Sequence, residues 1–86
     1  METAVAKGII QPYAHLGGVI RARREHLGLS QLEFARRCSL HRTYISDVER
    51  GARNISLGTL ALIAIALEMD GWELLKAAEL LKRDEN

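Results

Sequence analysis

Residues 41–51, HRTYISDVERG, place many hydrogen-bonding side chains on one short stretch. Stepped at about 100° per residue, Tyr44, Ile45 and Val48 fall together, while Arg42, Thr43, Ser46 and Arg50 gather on the far side with Asp47 beside them. The chemistry on offer is recognition. A guanidinium presents a rigid fork of donors, hydroxyls both donate and accept, and a carboxylate accepts. Bond-breaking chemistry is not expected, because the chain carries no glycine-rich phosphate loop and no nucleophile beside a base. Cys38 falls on an apolar stripe, and with His15, His26 and His41 it shows no zinc-ligand spacing, so neither a metal nor a cofactor is expected.

A segment this short must be held by its neighbours. The chain has 86 residues, 48% hydrophobic but only 5% aromatic, with one Pro, a composition that favours helices because unbranched side chains lose little freedom there. One all-α domain is expected. Residues 1–11, METAVAKGIIQ, have no clear period and read as an N-terminal arm; residues 12–83 read as the domain and 84–86 as a tail. Pro12 suits a first helical position, and Leu16, Ile20 and Leu27 recur at helical spacing until Gly28 offers a left-handed stop. Ser30-Gln31-Leu32-Glu33 then form a capping box, with Leu29 placed to staple onto Phe34, for a second helix running to about Cys38. Only Ser39-Leu40-His41 separates it from the third, which Gly51 closes. Ser56 caps a fourth helix over about 57–68, and Asp70 with Glu73 starts a fifth that fades near 83. Two helices joined by three residues, the second with a polar outer face, make a helix-turn-helix.

Two charges interrupt the apolar stripes. Arg24 sits on the stripe of helix 1, and Glu49 follows buried Ile45 by one turn on helix 3. Stranding either alone costs about 3–5 kcal/mol, so a two-pronged Arg24–Glu49 pair is expected to fasten the two helices. Charge is also divided along the chain: residues 21–53 hold eight Arg against four acids, whereas residues 54–86 hold three basic groups against six acids. The basic half suits a polyanion, and the acidic half would face away from it.

Residues 20–67, IRARREHLGLSQLEFARRCSLHRTYISDVERGARNISLGTLALIAIAL, resemble the phage-repressor and Cro-type (XRE-like) helix-turn-helix regulators. The likeness rests on LGLSQ, on Phe34-Ala35, on ISDVERG, on RN with a serine two residues on, and on AIAL. It implies a lambda-repressor-like DNA-binding fold of four or five helices, binding operator DNA as a symmetric dimer, and it implies the same Arg24–Glu49 pair. In size the chain is similar to restriction-modification controller proteins. Three departures stand out: Ser39 replaces the usual turn glycine, His41 the usual Ser or Thr cap, and Ile55 the proline after RN.

On this resemblance Arg42, Thr43, Ser46 and Asp47 are expected to face base edges in a major groove, where arginine bridges guanine. Asp47 has two readings, accepting from cytosine or orienting Arg42 or Arg50. Gln31, His41, Arg50, Arg53 and Asn54 are expected to contact phosphates, and Arg36 and Arg37 remain ambiguous. Helix 4, LGTLALIAIALEM, is oily on both sides, so Leu62 and Ile65, with Trp72 and Leu75 of helix 5, are expected to form a homodimer interface, unless the segment AVAKGII folds over them. The expected function is a repressor or autoregulator binding an inverted repeat in double-stranded DNA. The alternatives are an antitoxin gripping a toxin through helices 4 and 5, and a protein-interaction module on the same fold. A toxin or an RNA polymerase contact would be a further partner. Residues 57–67 are too short to span a bilayer and the N-terminus lacks a signal-peptide layout, so no membrane contact is expected and the expected setting is the cytoplasm, bacterial or phage-encoded, near the nucleoid.

Overall fold

The computed structural model describes residues 15–84, with five helices: α1 (Leu16–His26), α2 (Gln31–Cys38), α3 (Arg42–Glu49), α4 (Leu57–Ala66) and α5 (Gly71–Asp84). Residues 1–11, read as an arm, lie outside the described residues, as does the helix start expected at Pro12. No described helix is long and apolar enough to cross a membrane. The starts of the helices follow local chemistry. Ser30 Oγ accepts from the Glu33 amide at 3.0 Å while the Glu33 carboxylate accepts from the Ser30 amide at 3.1 Å. Ser56 caps α4 through the Thr59 amide at 3.0 Å, and Glu73 accepts from the Asp70 amide at 2.9 Å before α5.

The first four helices all end in the same turn. Each ends at a residue with positive φ: Gly28 (72°), Ser39 (56°), Gly51 (75°) and Glu68 (59°). In each case the following amide bonds a carbonyl five residues back: Leu29 to Arg24, Leu40 to Ala35, Ala52 to Asp47 and Met69 to Ala64. Two of these turns use a side-chain-bearing residue where glycine would be unstrained, at roughly 1–2 kcal/mol each. Glu68 explains why α4 ends at Ala66 and not at 68: the left-handed residue stops it. Asp84, assigned to a tail from sequence, is the last residue of α5.

The core is built from one face of each helix. Ile20, Phe34, Ile45, Ile63, Leu67, Leu74 and Ala78 are fully buried, with Cys38 among them. Burial pushes the Cys38 thiol up to about 11, so it stays protonated at neutral pH. α1 packs on α3 and α5, α2 on α3 and α4, and α4 on α5. Close approach of α1 to the end of α3 depends on Gly17, where a Cβ would lie 2.3 Å from the Val48 carbonyl oxygen and 2.8 Å from that of Glu49. Above this contact the Arg24 and Glu49 side chains meet. Arg24 Nε donates to Glu49 Oε2 at 2.7 Å, Nη2 to Oε1 at 3.0 Å, and Nη1 to the Leu29 carbonyl at 2.8 Å. Gln31 Nε2 donates to the same Oε1 at 3.1 Å. The Glu49 hydrogen bonds hold the Arg24 pKa above its ordinary value against the opposing effect of burial.

Three outcomes follow. Arg24→Met, which strands Glu49, should lower unfolding free energy by about 3–5 kcal/mol in urea titration. Gly17→Ala must push α3 aside and should cost about 1–3 kcal/mol in the same assay. Capping holds the Glu33 carboxylate below its usual range, so its contribution is present above the unfolded pKa and lost as pH falls through the lowered one. Glu33→Gln should therefore show less acid destabilisation than the parent chain, read from melting temperatures across that pH range.

Candidate nucleic-acid interface

The polar side of α3 is divided into an open end and a bonded end. Arg42 and Thr43, in its first turn, are exposed, and His41 at the cap position makes no side-chain capping bond. The amides of that turn are therefore not closed by a side chain, which leaves donors and a partial positive charge at this end. Ser46 and Asp47 are half-buried one turn on. Past the helix, Arg50, Arg53 and Asn54 are exposed.

At the bonded end, Asp47 accepts from Arg50 Nη2 through Oδ1. Its Oδ2 lies 3.7 Å from Arg53 Nε, and the Arg53 guanidinium sits 5.2 Å from the centre of the Tyr44 ring. Of the two arginines expected to be oriented by Asp47, the carboxylate holds Arg50; among the described residues it makes no ion pair with Arg42. Tyr44, read from sequence as core, is half-buried and serves as a platform for Arg53.

Gln31, expected at a phosphate, is half-buried at the start of α2, and its Nε2 also donates to Glu49, so it braces the buried pair. Arg36 is exposed, whereas Arg37 reaches α4: its Nη1 donates to the Ala66 carbonyl at 3.3 Å and lies 3.5 Å from Glu68 Oε2. Arg23 Nε donates to the Leu67 carbonyl at 3.0 Å from the other side. Sequence reasoning missed both of these contacts. Arginine in the last turns of α1 and α2 was visible, but nothing local says which distant carbonyls it meets.

The apolar residues expected at a dimer interface differ in exposure. Ile65 is 74% exposed, Trp72 62% and Leu62 48%, and Leu57 joins them at 81%. Leu75 is less open than these: it is half-buried, packs against the core and lines a groove of about 740 Å³ with Leu16, Val48 and Leu60. The reason is rotational. Leu74 and Ala78 fix the inward side of α5, and Leu75 stands next to it.

Comparison with known proteins agrees with this arrangement. The family model described as helix-turn-helix matches residues 20–70. The control protein C.BamHI of Bacillus amyloliquefaciens is 46% identical over 57 residues, which span 66% of this chain and 70% of that protein. Other curated relatives are matched over little more than half their length, 53% and 57% in two cases. Among solved structures, the restriction-modification controller C.AhdI of Aeromonas hydrophila superposes with a TM-score of 0.69 at 39% identity, over 72% of this chain and 94% of that one. The controller C.Esp1396I, solved as a tetramer on its natural 35 base-pair operator, superposes with a TM-score of 0.72 at 32% identity, over 83% of this chain and 97% of that one. With its family model covering more than half the sequence and the turn between α2 and α3 in place, the chain belongs to the helix-turn-helix family.

Proposed function

We propose that this protein is a transcriptional regulator, a repressor or autoregulator, that binds an inverted-repeat operator as a homodimer in the cytoplasm of a bacterium. The observation carrying this reading is the open first turn of α3: Arg42 and Thr43 stand exposed on a helix whose opposite side is locked into the core by Ile45, Val48 and Glu49. A rigid rod with free donors at its N-terminal end is what a major groove admits. Arg42 bridges the acceptors of a guanine, Thr43 and Ser46 make shorter contacts, and Arg50, Arg53, Asn54 and His41 meet phosphates on either side. Relatives named as control proteins, and an operator-bound structural neighbour, support the same reading.

The exposed Leu57, Leu62 and Ile65 of α4 and Trp72 of α5 supply the surface for pairing two copies. Pairing there would hold the two copies of α3 apart, to meet half-sites about 34–36 Å apart. Neither a toxin nor a polymerase contact has an observation of its own in its favour.

Selection of bound duplexes from a random pool should recover an inverted repeat, and sedimentation should give a dimer that Ile65→Glu converts to monomer. Arg42→Ala should relax preference at one position per half-site, with about 1–3 kcal/mol of discrimination lost there. Arg53→Ala should weaken binding without relaxing preference at any single base position and flatten the salt dependence by about 1 in log–log slope. If both substitutions merely scale affinity, α3 is not the reading helix.

A further inference from the structure

Asp47 is the one feature of the polar side of α3 that opposes binding to a polyanion. It lies one turn after Thr43, beside Ser46, on the helix proposed to enter the groove, and DNA phosphates repel a carboxylate there. Both of its oxygens face guanidinium groups: Oδ1 accepts from Arg50, and Oδ2 lies 3.7 Å from Arg53. Arg53 is further held by the Tyr44 ring at 5.2 Å. The carboxylate is only 22% exposed, while the two guanidinium side chains are 65% and 55% exposed. The acid is thus the inner member of the cluster and the two cations are its outer surface.

We infer that Asp47 is a specificity-determining positioning residue: it stands in for a phosphate within the protein and restrains Arg50 and Arg53, and it does not itself read a base. The inference rests on the DNA-binding reading above. A duplex of arbitrary sequence binds only through its phosphates, so each guanidinium must leave Asp47, or share it, to make that contact. The carboxylate therefore competes against every sequence. On an operator, base contacts from Arg42 and Thr43 fix the depth and direction of α3 and bring particular phosphates to where the restrained guanidinium groups already are. The competition is then offset, and the ratio of operator to random affinity widens. A cytosine amino group would instead have to approach a carboxylate whose two oxygens are already turned towards cations, so direct readout is the weaker use of this residue.

The test uses Asp47→Asn, which keeps the shape and removes the charge. Affinity for a scrambled duplex should rise about tenfold while affinity for the selected operator changes by no more than about twofold, and the scrambled-duplex salt dependence should steepen by about 1 in log–log slope. In an Arg50→Ala/Arg53→Ala background the same change should have little effect, because the residues it acts through are gone. A gain that persists in that background would mean simple long-range repulsion and would overturn the inference. Loss of preference at one base pair, with scrambled affinity unchanged, would overturn it in favour of a cytosine reader. In the free protein, the side-chain Nε–H resonances of Arg50 and Arg53 should lose order in Asp47→Asn, as seen by relaxation; unchanged order would also overturn it. Because that measurement needs no DNA, it decides the restraint even if the parent chain selects no sequence and the regulator reading fails.

Discussion

The forked contact between Arg24 and Glu49 sets the geometry on which the rest of the molecule depends. It joins the last turn of α1 to the last residue of α3, takes in the Leu29 carbonyl between α1 and α2, and is braced by Gln31 at the start of α2. Three helices and one turn therefore share a single planar junction. Removing two charges from water is costly, and an apolar pair of similar volume would hold the helices about as firmly. What such a pair lacks is direction. Two parallel hydrogen bonds fix both the distance and the rotation of α3 against α1, and Gly17 lets the backbones come close enough for them to form.

A second pair of arginines extends that order to α4. Arg23 and Arg37 approach its C-terminal end from α1 and α2 and donate to the Leu67 and Ala66 carbonyls, where a cation also complements the helix dipole. α4 in turn carries Leu57, Leu62 and Ile65 on its exposed side. The side of α4 proposed for pairing and the helix proposed for reading are thus linked through hydrogen bonds to α1 and α2, rather than through apolar packing alone. The division of charge noted in the sequence takes on a structural meaning here, because the basic half contains α3 and five of the six acids of the other half lie on α5 and its approaches.

Features written in neighbouring residues were legible from sequence. The Ser30–Glu33 box, the Ser56 cap and the Asp70–Glu73 contact each span three residues, and each is present. Arg24 was legible for a different reason: a charge on an otherwise apolar stripe announces a partner, and Glu49 was the only other charge so placed. Features that depend on distance were not legible. Nothing near Gly17 in the sequence shows that a carbonyl from α3 will lie against it, and nothing near Arg37 points to α4. The packing of Leu75 against the core was not legible, because α5 is apolar on more than one side and its rotation is fixed only by what it packs against. Tyr44 was half-read, since its spacing put it with the core but not under Arg53. The turn at Ser39 sits between these cases: the missing glycine was evident, and the left-handed backbone is adopted all the same.

Arg42 and Thr43 stand exposed, whereas the residues that aim α3 lie on its other side. Exchanging either one disturbs no cap, no buried pair and no core contact. With Arg42 and Thr43 as the proposed readers, descendants of this chain would be free to drift between targets one letter at a time, retaining a foldable scaffold at every intermediate, because the proposed reading and the holding of α3 fall to different amino acids.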